Sequence, residues 1–119
     1  MLFRSEGCSH ARFLIIGGDL WGEQDAYIDE LRGQVKEATL AGQFNFVPNQ
    51  SDGADAMAAL DCLVHPALDE PFGRVVMEGM AMSKPVIAMN ANGPKEIVRS
   101  GDDGLLVEPD GLAEAMKQV

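Results

Sequence analysis

The sequence is short of cations, cysteine and aromatic side chains, and each shortage argues against a class of function. Nine Lys and Arg stand against nineteen Asp and Glu, a formal charge of −10 in 119 residues. Gripping a nucleic-acid backbone relies on clustered Lys and Arg, so this balance argues against a nucleic-acid partner. Any phosphate ligand must be held by local features, such as helix N-termini and a few placed cations, rather than by the overall field. Cys8 and Cys62 cannot build a disulfide framework and suit a reducing, cytoplasmic setting. Cys8 and His10 lack a second ligand pair nearby, so no metal site is expected. No apolar run approaches the roughly 20 residues of a membrane helix, and the opening MLFRSEGCSHARF has no signal-peptide core. Gly17-Gly18 is not a G-x-G-x-x-G fingerprint, which argues against an NAD-type site, and the single tryptophan, Trp21, is read as covering apolar surface rather than stacking on a base.

What is present has the composition of an ordinary globular chain, 46% apolar and 24% charged, long enough for one core. Residues 1–11 show no period and read as an irregular leader; residues 12–119 read as one α/β domain. The apolar run of residues 12–17 predicts a strand buried on both faces. Ile28, Leu31, Val35 and Ala38 recur at helical spacing, with Asp29, Arg32 and Lys36 on the opposite face, and Gly42 suggests the stop of that helix. Residues 43–47 predict a second strand. Asp52 could cap a short helix to Leu60, with Ala56, Met57 and Leu60 facing inward. Strands are then expected over 62–65, 85–89 and 105–107, separated by helices over 73–82 and 94–100 and followed by a last helix from Leu112. Met77, Met80, Met82 and Met89 are expected as core fillers, and His65 as a packed or gating residue. This alternation implies right-handed βαβ units, hence a doubly wound, all-parallel sheet of about five strands with helices on both faces.

The stretch Asp61–Ala88, DCLVHPALDEPFGRVVMEGMAMSKPVIA, runs strand, loop, helix, strand. That order places backbone N–H groups and a positive helix end at one sheet edge, where nucleotide phosphates bind. Glu70 on the loop and Glu78 on the helix stand eight positions apart. Their spacing alone says little in so acidic a chain, and Glu78 could simply pair with Arg74 one turn earlier.

Residues 12–119, most closely the run 65–116 and more weakly FLIIGGD and FNFVP upstream, resemble the donor-binding half of retaining, nucleotide-sugar-dependent glycosyltransferases of the GT-B group, built from two facing Rossmann-like domains (the group 1, or family 4, type). The matching features are the strand and proline of Cys62–Pro66, the E-x7-E pair in EPFGRVVME, the PVIA strand, Gly93 with Glu96, and Gly104-Leu-Leu-Val. The resemblance implies that Glu78 accepts the two ribose hydroxyls and that Glu70 lies beside the donor sugar and the reacting centre, the catalytic position. It further implies that the amides around Phe72, Gly73 and Arg74 hold the sugar or diphosphate, with Gly93 and Lys95 adding to this, though Lys95 reads equally well as a solvated first-turn lysine; with no metal-ligand cluster in the sequence, no cofactor or metal is expected to be required. The donor would be a UDP-, GDP- or ADP-sugar. Glu96 is expected to cap or pack.

Three residues depart from the family's pattern: Ala67 for Ser, Gly79 for Ala and Ser83 for Gly, the last forcing a left-handed turn at a cost of about 1 kcal/mol. The family's donor domain also begins with a strand and loop whose Arg and Lys neutralise the diphosphate, which nothing before Arg12 matches. Three expectations follow: the isolated chain is inactive and needs an acceptor-binding domain; its strands run in the order 2-1-3-4-5; and residues 12–17 pair directly with 62–65. The alternative is a non-catalytic relic or interaction module that forms a homodimer and binds no nucleotide.

Overall fold

The computed structural model describes residues 10–17, 25–47 and 53–119. Cys8, Gly18, Trp21 and the proposed Asp52 cap lie outside these residues. The chain divides into two compact units, Met1–Gly53 and Ala54–Val119. In the first, strand β1 (Phe13–Ile16) leads through helix α1 (Asp25–Glu37) to strand β2 (Phe44–Val47). The second runs through helix α2 (Gly53–Ala58), strand β3 (Leu63–His65), helix α3 (Arg74–Ala81), strand β4 (Val86–Met89), helix α4 (Asn92–Ile97), strand β5 (Leu105–Val107), a 3-10 turn (Pro109–Gly111) and helix α5 (Leu112–Lys117). Every predicted strand and helix is present to within a few residues. Among the described residues no helix is long and apolar enough to cross a membrane.

All the strand pairs are parallel, but they form two sheets, β1-β2 and β3-β4-β5. Within each sheet the order is the expected one. The direct pairing of residues 12–17 with 62–65, and with it a single sheet of order 2-1-3-4-5, is not formed. The ladders that form, β1 with β2, β3 with β4 and β4 with β5, each join consecutive strands through one helical crossover. A β1–β3 ladder would be a non-local pairing that no such crossover enforces.

In the first unit the helical period works as read. Ile28, Leu31, Val35 and Ala38 are half-buried while Asp29, Arg32 and Lys36 are exposed. Phe13 stacks on Phe44 with centroids 4.5 Å apart, and the Arg32 guanidinium lies 5.5 Å from the Phe46 ring centre. Helix α1 does not run on to Gly42. It ends at Glu37 and is closed by Thr39, whose φ is 59°, with Thr39 N–H donating to Lys36 O (3.1 Å) and Leu40 N–H to Val35 O (3.0 Å). That bond pair is a Schellman closure, here made with a β-branched residue in the left-handed position.

All the fully buried hydrophobic side chains among the described residues belong to the second unit. Val76, Val86, Ala88, Met57, Leu63 and Val98 form the core, with Leu60, Val75, Met80, Ile97 and Leu106 packed against it. Strand β4 is buried along its whole length, as a central parallel strand covered on both faces must be. Of the four methionines expected as core fillers, Met89 is buried and Met80 half-buried. Met77 and Met82 are exposed because they fall on the outer side of α3 and its C-terminal cap.

Ser83 takes φ 56°, as the sequence required. Its N–H donates to Met80 O (2.9 Å) and the Lys84 N–H to Gly79 O (2.9 Å), a second Schellman closure. Gly79 also has a packing reason: a Cβ there would lie 2.8 Å from Leu63 Cδ2.

Candidate functional site

Strands β3 and β4 deliver the chain to the same edge of their sheet, and two loops carry it from there into α3 and α4. Loop 66–73 and the start of α4 are built against each other. The Asn92 side chain donates from Nδ2 to Leu68 O (2.9 Å), and the Gly93 N–H to Glu70 O (3.1 Å). Asn92 sits at φ 44°, a conformation its short polar side chain tolerates. At Gly93 the two backbones touch: a Cβ would lie 2.5 Å from the carbonyl carbon of Phe72 and 2.7 Å from Pro71 O. No side chain fits there. Gly73 opens α3 at φ 68°, facing the Pro94 ring.

Glu70 turns back on its own loop. Its Oε1 accepts from the Gly73 N–H (2.9 Å) and the Phe72 N–H (3.1 Å). These two bonds, Gly73 first, hold its carboxyl below the usual carboxylate range; burial opposes them, and His65 nearby contributes least, in the lowering direction. The other oxygen, Oε2, lies 3.8 Å from His65 Nε2, and the Glu70 side chain remains 31% exposed.

The amides of Phe72 and Gly73, expected from sequence to face a ligand, are therefore engaged by Glu70. Gly93 is likewise explained by close packing, and its amide is engaged as well. A carboxylate two and three residues before successive N–H groups folds onto them readily, and nothing in the residue spacing distinguished that from a vacant cradle. The first three amides of α3, on Arg74, Val75 and Val76, meet no acceptor among the described residues. They are the orphan donors of a helix N-terminus. The sequence expected this helix to open at Phe72 or Gly73, one or two residues early, and did not show that Glu70 blocks those two amides.

Glu78 is exposed on α3 and its carboxylate makes no hydrogen bond or ion pair among the described residues, so the pairing with Arg74 that would have explained it away is not formed there. Arg74 and Lys95 are also exposed and unpaired among those residues. Glu96 is exposed and caps nothing among the described residues, contrary to expectation. One edge of one sheet thus gathers Glu70 fixed on its loop, a helix end with open amides, and Glu78 one turn along that helix.

Comparison with known proteins bears on what such an edge is for. Residues 2–119 match the family model described as glycosyl transferases group 1. The D-inositol 3-phosphate glycosyltransferase of Rhodococcus opacus is 36% identical over 109 residues, covering 90% of this chain and 24% of that protein. The lipopolysaccharide core biosynthesis glycosyltransferase LpsE of Rhizobium meliloti is 31% identical over 94 residues, covering 76% of this chain and 28% of its own. Among solved structures, Anabaena Alr3699/HepE in complex with UDP-glucose superposes with a TM-score of 0.82 at 36% identity, covering 90% of this chain and 30% of that one. The chain spans under a third of the length of each of these relatives. A family match over almost the whole sequence and a fold shared at that level agree with each other: this chain belongs to the group 1 glycosyl transferases, of the GT-B type.

Proposed function

We propose that the chain is the donor-binding domain of a retaining glycosyltransferase and holds a nucleotide-diphospho-sugar at the edge formed by β3, α3 and α4. The observation that carries this reading is the pair of carboxylates in the E-x7-E run, one locked on the loop and the other, on the helix that follows, unpaired among the described residues. A ribose offers two adjacent hydroxyl donors, and the two oxygens of Glu78 can accept both. Glu70 lies on the sugar side, where its anionic oxygen would orient hydroxyls and favour oxocarbenium charge as the glycosidic bond breaks. The diphosphate belongs on the open amides of Arg74, Val75 and Val76, with the Arg74 and Lys95 side chains free to approach it and no cofactor needed beyond the donor. Phe72 and Gly73 would hold Glu70 in place rather than touch phosphate, and Gly93 would hold the loop. HepE was solved with UDP and with UDP-glucose, so UDP-glucose is the first donor to try, ahead of GDP- and ADP-sugars.

Binding and turnover are separable. Stabilising the leaving diphosphate calls for fixed cations, whose loss costs orders of magnitude in rate. With Arg74 and Lys95 the exposed cations at this edge among the described residues, the 119 residues by themselves are proposed to bind donor without transferring sugar unless an acceptor-binding domain takes part. Leu68 (54% exposed) and Phe72 (73% exposed) beside the site leave apolar surface for such a partner or for a second copy of the chain. Calorimetric titration of the chain with UDP-glucose tests the reading. Binding at millimolar or tighter affinity, abolished by Glu78→Ala, is the expected outcome. No heat from any UDP-, GDP- or ADP-sugar would leave the non-catalytic interaction module as the better account.

A further inference from the structure

His65 closes β3 and is only 9% exposed. Its Nδ1 is buried with no hydrogen-bond partner among the described residues, while its Nε2 faces Glu70 Oε2 at 3.8 Å. Glu70 Oε1 is already committed to two backbone amides, so Oε2 is the oxygen with freedom to serve a ligand. Resting on the reading that Glu70 lies on the sugar side of a donor site, we propose that His65 is a positioning residue whose Nε2–H aims Glu70 Oε2.

The choice of tautomer follows from the surroundings. A neutral imidazole carries one N–H and one lone pair. With the proton on Nδ1, a buried donor would have no acceptor and the Nε2 lone pair would oppose a carboxylate, two unfavourable arrangements at once. With the proton on Nε2, the N–H points at the anion and only a buried lone pair goes unused. The 3.8 Å separation is beyond hydrogen-bond length, so in the ligand-free chain the interaction is electrostatic. Such contacts commonly tighten when substrate completes the site. Two backbone donors on one oxygen and an imidazole facing the other leave the carboxylate little freedom to rotate.

The first test needs no ligand. Long-range proton–nitrogen NMR of the chain in slightly alkaline buffer should show His65 with a protonated Nε2 and a bare Nδ1, and Glu70→Gln should move the Nε2 signal. A protonated Nδ1 overturns the proposal. The second test compares UDP with UDP-glucose on the unsubstituted chain, His65→Leu and His65→Gln. His65→Leu should keep UDP affinity within about twofold and reduce the preference for UDP-glucose about five- to tenfold, and His65→Gln, which retains a donor, should recover part of it. Equal losses for both ligands, or a Gln variant as poor as the Leu variant, overturn the positioning role. Unchanged discrimination in His65→Leu refutes that role alone; failure of the unsubstituted chain to bind UDP at all refutes the donor reading with it.

Discussion

Thr39 and Ser83 each place a Cβ in the left-handed region at the close of a helix. Glycine removes that clash and returns some chain entropy to the unfolded state, so the net gain is modest. Ser83→Gly and Thr39→Gly should each stabilise the fold by about 1 kcal/mol, read as a higher urea midpoint at unchanged m-value. Gly93 is the opposite case. Its missing Cβ is replaced by the backbone of Phe72 and Pro71, which cannot rotate aside as a side chain can. Gly93→Ala should cost about 2–3 kcal/mol and weaken donor binding as loop 66–73 is pushed away. Gly79→Ala should be far milder, because the atom it meets is a methyl at the end of the Leu63 side chain and alanine favours helix.

At the scale of elements, the Glu70 loop gives an acid-dependent contribution to stability. Its carboxyl is held below the ordinary range by the N–H groups of Gly73 and Phe72, so the folded state binds that proton less readily than the unfolded state does. The stabilisation is present above the ordinary glutamate range and fades as pH falls through the lowered value. The stability difference between the unsubstituted chain and Glu70→Gln, measured by urea unfolding, should therefore be largest near neutrality and shrink toward zero on acidification. The elements themselves were legible because local rules settle them: the three-and-four recurrence of Ile28, Leu31 and Val35, and prolines or glycines at the strand ends. The loop's inner bonding was not. Whether Phe72 and Gly73 face a ligand or Glu70 depends on a side-chain torsion, and the contact of Gly93 with Phe72 joins residues twenty-one positions apart. His65 showed nothing in sequence beyond its place before Pro66; only the fold brings Glu70 to it.

For the molecule as a whole, burial is uneven. The first unit has no fully buried hydrophobic side chain among its described residues, whereas β4 in the second is sealed from solvent. Hydrogen exchange should reach the β1 and β2 amides well before those of β4 if the units open separately; equal protection would show one cooperative structure. The charge of −10 adds a second consequence, since a nucleotide-sugar is itself an anion. Salt screens their mutual repulsion, so UDP-glucose affinity should hold steady or rise between about 0.01 and 0.15 M salt, against the usual fall for ligands held by an overall basic field. The seam at Gly93 also bears on protein engineering. Because residues 92–94 and loop 66–73 interlock through backbone, anyone grafting a relative's loop onto this chain must transplant both segments together, or the new loop will arrive without its seat.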